Sequence, residues 1–155
     1  MLNNLQLTDI LATTAVLVSI TLLIYFAVKT LITSNFFQKG INLYQQKDYQ
    51  GAEAAFRRVI AINSTNDVVR LFLGDTLREQ GRVAEATDLF QEVIRRSPKN
   101  PQSYLRLATI LMEQDKQAEA KTNLQQAQEL LQKQRQPETA KKIARLLEQM
   151  ETKSN

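Results

Sequence analysis

Cysteine, histidine and tryptophan are absent from the 155 residues, and glycine and proline are scarce, at four and three. Without imidazole or thiol the chain builds neither the common nucleophile-and-base pair nor a Cys/His zinc cage, and it forms no disulfide. So little glycine leaves almost nothing for the turns of an all-β fold or for a phosphate-cradling loop. What remains is rich in Ala, Leu, Gln, Glu, Lys and Arg, the stronger helix formers, so an all-α fold is expected. The paired carboxylates Glu79/Glu85 and Glu113/Glu119 lie across polar turns with no partner set for acid–base work. No catalytic, metal or cofactor site is expected, and an enzyme is the least supported class of function.

Charge is short at one end. Between Asp9 and Lys29 stand 19 uncharged residues, Ile10 to Val28. As a helix this run is about 28 Å long, close to the hydrocarbon thickness of a bilayer. A cleaved signal peptide carries a basic stretch before the apolar run and a small-x-small site after it. Here Asp9 is the only charge before the run, and Tyr25, Phe26 and Lys29 close it in the manner of an interfacial belt. A core helix is the other reading, but core helices of small domains are usually amphipathic and this one is apolar all round. Thr13, Thr14, Ser19 and Thr21 are compatible with spanning, because their hydroxyls bond back to helix carbonyls. The expected organisation is a short tail over residues 1–9, a transmembrane anchor over 10–28, and a linker or continuous helix over 29–35.

Beyond the anchor, residues 29–155 hold 20 basic and 15 acidic side chains, a net +5. Lys29, Lys39 and Lys47 follow the run and no Lys or Arg precedes it, so the positive-inside rule puts the N-terminus outside. The C-terminal part is then cytoplasmic, or stromal in a plastid. A modest basic excess near a membrane suits anionic headgroups better than a nucleic-acid groove, and no nucleic acid or small-molecule substrate is expected. The basic run Lys133, Arg135, Lys141, Lys142 and Arg145, set against one acid, Glu138, reads first as a solvated helical face, with contact to lipid phosphate or RNA as the other readings; it lacks the interleaved aromatics of a nucleic-acid platform.

The soluble part repeats with a period of 34. One shift sets Gly40 on Gly74, Leu43 on Leu77, Ala52 on Ala86, Phe56 on Phe90 and Val59 on Val93; a second sets Leu73 on Leu107, Gly74 on Ala108, Ala86 on Ala120 and Phe90 on Leu124. Each unit reads as two helices joined at a polar turn, at Gln46-Lys47-Asp48, Gln80-Gly81-Arg82 and Gln114-Asp115-Lys116. Small residues on both helices let the backbones approach, and Phe or Leu fills the gap to the next helix. Asn63–Asn66 and Ser97–Pro101 mark the ends of units and offer N-caps. Three units are expected over 36–134, at about 34–66, 67–100 and 101–134, followed by a capping helix over 137–152 with Ala140, Ile143, Ala144, Leu147 and Met150 on one face.

This period and pattern resemble the tetratricopeptide repeat (TPR) family. The second unit fits best, with Leu73, Gly74, Gly81, Ala86, Phe90 and Pro98; Arg70 departs from the usual early aromatic, Val59 and Val93 from the late Ala, and Ser64 from Pro. The resemblance implies a concave face, lined by the first helices of the units, that binds peptides or partner helices. Carried over by offset, that face comprises Phe37, Ile41, Tyr44, Val68, Leu71, Asp75, Arg78, Gln102, Leu105, Thr109 and Met112. Of the Lys, Asn and Arg clamp that one branch uses for chaperone tails, only Arg106 falls on an offset; Phe37, Ile41, Phe72 and Gln102 occupy others. A mostly apolar lining suits a partner helix, or else is covered by the chain itself.

The organisation is also similar to that of small membrane-anchored TPR assembly proteins of cyanobacterial and plastid photosystems, especially photosystem I. That resemblance implies a thylakoid scaffold that holds subunits of a membrane complex during assembly. A permanent structural subunit and an N-anchored targeting or import receptor are the rival readings.

Overall fold

A computed structural model describes residues 2–154, with side chains from Gln6 to Thr152. Among the described residues there are seven helices and no strands: α1 (Leu2–Gln45), α2 (Tyr49–Ile62), α3 (Asp67–Glu79), α4 (Val83–Arg96), α5 (Pro101–Glu113), α6 (Gln117–Lys133) and α7 (Pro137–Ser154). Each helix packs on the next in order, as expected of a solenoid of two-helix units. The core runs continuously from Ala52, Phe56 and Val59 through Leu73, Leu77, Phe90 and Val93 to Leu107, Leu111 and Ala120. Ala108, Leu124, Ala127 and Leu131 close against Ala140, Ile143 and Leu147 of α7, which covers the end of the array.

The repeat rests on two kinds of local device. The first is the close approach of helices at Gly40 and Gly74: a Cβ on Gly40 would sit 2.5 Å from Phe56 Cε1, and one on Gly74 2.3 Å from Phe90 Cε1. In the third unit both partners change together, to Ala108 and the smaller Leu124. The second is a left-handed residue after the first helix of every unit, at Lys47 (φ 61°), Gly81 (φ 78°) and Asp115 (φ 57°), with Arg135 (φ 58°) after α6. At each of these the next amide reaches back to a carbonyl five residues earlier, as in Asp48 N–H to Leu43 O (2.9 Å) and Arg82 N–H to Leu77 O (2.9 Å). This pattern satisfies helix-end carbonyls and turns the chain sharply. Asp48, Asn66 and Asn100 then cap the following helices through their side chains.

The helix already begins at Leu2, within the stretch expected as a short tail, and of the two readings of 29–35, linker or continuous helix, it follows the second: α1 runs through to Gln45 and supplies the first repeat helix. No Gly or Pro lies between Val28 and Phe36 to break it. Thr13, Thr14, Ser19 and Thr21 return their hydroxyl protons to helix carbonyls. By length and composition α1 is a candidate membrane span, and its most apolar window is 0% buried within the protein.

Candidate functional site: the concave face

The first helices of the three units, the C-terminal part of α1 with α3 and α5, form one face of the array, while α2, α4 and α6 back it. Aromatic contacts tie its first half together. Phe37 of α1 meets Phe72 of α3 edge-on at 5.5 Å between centroids, and Phe72 stacks on Phe56 of α2 at 5.8 Å. Phe37, Phe72, Ile41, Tyr44 and Met112 are half-buried, packed on the core from one side. Val68 stands out at 54% exposed. Leu105 is also half-buried, and its carbonyl accepts from Thr109 Oγ1 at 3.0 Å.

The charged groups of the face are bound to one another. Asp75 of α3 accepts from Arg106 Nε of α5 at 2.8 Å, and the same guanidinium reaches the Gln102 side chain at 3.2 Å and lies 6.0 Å from the Phe72 ring. Arg78 spans to Glu113 at 2.5 Å and to its neighbour Glu79 at 2.6 Å. Burial pushes the Asp75 carboxyl above its ordinary range, with Arg106 pulling the other way. The Tyr44 phenol is raised as well, by burial and then by the negative charge of Asp75 and Glu79. These pairs leave the face with little free charge, so its unsatisfied surface is apolar.

Of the residues carried over by offset, Phe37, Ile41, Tyr44, Val68, Asp75, Arg78, Gln102, Leu105, Arg106, Thr109 and Met112 are at least partly accessible. Leu71 is a correction: it is 4% exposed and belongs to the same buried cluster as Leu107 and Leu111, so it holds the array together and lines no open surface. Its neighbour Phe72 takes the accessible place. Arg106 lies on the face but is committed to Asp75, which removes the last element of a carboxylate clamp. Glu113, which the sequence reading placed only at the third polar turn and not on this face, joins it through Arg78, 35 residues earlier.

A tetratricopeptide-repeat family model matches residues 43–90 and 77–150. The chain belongs to the tetratricopeptide-repeat family. Among curated proteins it has no match. Among solved structures, the TPR array is similar to the type III secretion translocator chaperone SycD of Yersinia enterocolitica, at 23% identity and TM-score 0.72 over 79% of this chain and 94% of that one. The TPR2B domain of yeast Sti1, solved as a complex with pHsp70, is similar at 17% identity and TM-score 0.71, over 79% and 98% of the two chains. The Arabidopsis OM64 TPR domain is similar at 21% identity and TM-score 0.64, over 78% and 98%. These likenesses show the fold.

Proposed function

We propose that this protein is a membrane-anchored TPR scaffold whose concave face holds an apolar helix or loop of a protein partner, acting as an assembly factor for a membrane protein complex. The observation that carries the reading is the continuity of α1. Its unpacked apolar half, 0% buried in its central window, passes without a break into the helix that bears Phe37, Ile41 and Tyr44. An anchor joined in this way confines the face to the bilayer plane and raises the effective concentration of any subunit held there. The face suits such a cargo, because its charges are paired internally and its free surface is aromatic and aliphatic. Peptide capture has precedent in the fold, since SycD has been solved with a peptide of the translocator YopD. On the similarity of organisation noted above, the complex is of the photosystem type, photosystem I first, with the array on the cytoplasmic or stromal side of a thylakoid membrane.

Photo-crosslinking in native membranes tests this, with the reactive group at Val68, Phe72 or Leu105 and a control at exposed Glu119 of α6. The groove positions are expected to capture membrane-complex subunits present in assembly intermediates. Equal capture at the control refutes a groove-centred role. Stoichiometric presence in the mature complex selects a structural subunit instead, and capture of presequences selects a targeting receptor.

A further inference from the structure

The two long edges of the array carry opposite charge. Linkers 63–66 and 97–100 and the turn at 134–136 lie on the edge where α1 enters. Turns 46–48, 80–82 and 114–116 lie on the other. Contacts across units fix both edges. Ser97 Oγ donates to Asp67 at 2.5 Å and Gln134 Nε2 to Lys99 O at 2.7 Å on the first, while Gln80 Nε2 donates to Tyr49 O at 2.9 Å and Arg78 pairs with Glu113 on the second. Nine-residue windows spaced by the repeat period show the asymmetry. On the linker edge, 60–68, 94–102 and 128–136 hold five bases and two acids, a net +3. On the turn edge, 45–53, 79–87 and 113–121 hold four bases and seven acids, a net −3.

The acids of the linker edge are already matched. Asp67 and Glu92 pair with Arg70 and Arg96, Glu129 with Lys133, and Glu138 with Lys141. Arg58, Arg95, Lys99, Arg135 and Lys142 are exposed and make no ion pair among the described residues. Arg58 marks the join with the anchor: its guanidinium lies 5.1 Å over Phe36, where α1 leaves the array, and exposed Leu31 and Ile32 follow one turn further out.

From Val28 to Phe36 a helix rises about 12 Å. A headgroup layer takes up roughly 5–7 Å of that. The remaining gap is shorter than the Debye length of about 8 Å at physiological salt. We propose that the linker edge of the array is a second membrane contact, an electrostatic foot that lies on anionic lipid headgroups and turns the acidic edge away from the bilayer. This rests on the anchor reading and adds a fixed attitude for the concave face. Each basic group close to an anionic surface is worth about fivefold in the apposition equilibrium, so three neutralisations are enough to release the edge.

The test uses the full chain, whose lack of cysteine makes single spin labels unambiguous. Ser64→Cys and Gln136→Cys report the linker edge, Gln46→Cys and Gln114→Cys the turn edge, each in phosphatidylcholine vesicles with or without phosphatidylglycerol and with a nickel-chelating headgroup lipid as relaxant. Relaxation several-fold stronger at 64 and 136 than at 46 and 114, present only with phosphatidylglycerol and lost with Arg95→Gln, Lys99→Gln and Lys142→Gln together, is expected. Equal relaxation at all four labels, or indifference to phosphatidylglycerol while the chain resists alkaline washing, overturns the foot and leaves the anchor standing. Removal by alkaline washing from neutral vesicles overturns the anchor and the foot with it. Labels that ignore anionic lipid but respond to an RNA oligonucleotide in detergent assign the edge to nucleic acid instead.

Discussion

Replacing Gly74 by alanine sets two effects of opposite sign against each other. Alanine in a helix interior is favoured over glycine by about 1 kcal/mol. The new methyl, however, would lie 2.3, 2.8 and 3.0 Å from Cε1, Cζ and Cδ1 of Phe90. Carbon pairs rest at about 3.5–4.0 Å, so the overlap exceeds 1 Å. The ring has nowhere to go, because Phe90 is 0% exposed and locked in the core with Leu73, Leu77 and Val93. Overpacking of this kind costs about 1–3 kcal/mol, and so severe an overlap belongs near the top of that range. The expected net loss is about 1–2 kcal/mol, or roughly 3–8 °C in Tm for an array of this size. Thermal and urea unfolding of the full chain in detergent, followed by circular dichroism, measures it, with the apolar half of α1 as a constant helical background. The third unit supplies the control. There Ala108 faces the smaller Leu124, so Phe90→Leu in the Gly74→Ala background is expected to recover at least 1 kcal/mol relative to additivity. A Gly74→Ala chain as stable as the parent, or two strictly additive substitutions, refutes the packing argument.

Lys47 and Arg135 hold left-handed conformations without being glycine, so Lys47→Gly and Arg135→Gly should each stabilise the array by about 0.5–1 kcal/mol in the same unfolding assay. Burial works against the Glu53 carboxylate, yet hydrogen bonds from Arg57, Gln80 and Arg82 prevail and lower its pKa, so the stability it adds is present above pH 4.5 and is lost as pH falls through the lowered value. Glu53→Gln should therefore flatten the acid limb of the stability profile, and an unchanged slope counts against the network. Arg70 is 6% exposed and bonds Glu92 at 3.0 Å beside Asp67, while Arg96 also reaches both carboxylates, so Arg70→Ala removes one charge-assisted bond without stranding either and is expected to cost about 2 kcal/mol, read from the urea midpoint. Phe37→Glu with Leu105→Glu should abolish groove crosslinking from Val68, at a cost in stability of about 1 kcal/mol or more each because both half-buried side chains pack on the core; Val68→Glu, at a 54% exposed position, should weaken capture at Leu105 while leaving Tm within a few degrees.

The helical class, the 34-residue period and the Gly/Phe pairs are legible because they are local or strictly periodic: composition, spacing and small-to-large alternation are properties of the string itself. The placement of Leu71 is not. Position within a repeat says which side of the helix a residue occupies, but how closely α3 approaches α5 decides whether that side is open, and this depends on the side chains of both. Leu71 is fully covered and Phe72, one residue on, only half so. Pairing escapes for a similar reason. Asp75 and Arg106 are 31 residues apart and each reads alone as a ligand-binding charge; only the meeting of their helices shows that they satisfy each other. Likewise Lys47 and Arg135 are ordinary solvated cations by sequence, and their left-handed backbone follows from the tight turn that the next helix demands.

The internal pairing of the concave face constrains what it can select. Had Arg106 and Arg78 been free, a carboxylate or a phosphate would compete for them, and binding would fall steeply with salt. Because Asp75 and Glu113 already hold those guanidiniums, an anionic ligand must displace a carboxylate to gain an arginine, which leaves little net attraction. Under the proposed role, affinity is then expected to rest on covering Phe37, Ile41, Phe72, Val68 and Leu105, a contribution that salt hardly weakens. The unpaired charge of the chain lies elsewhere, along the two edges, where the proposed membrane contact would use it. If the proposed anchor, foot and groove hold, attitude toward the bilayer is expected to change with ionic strength and grip on cargo is not, and the two are separable by measuring both in the same salt titration.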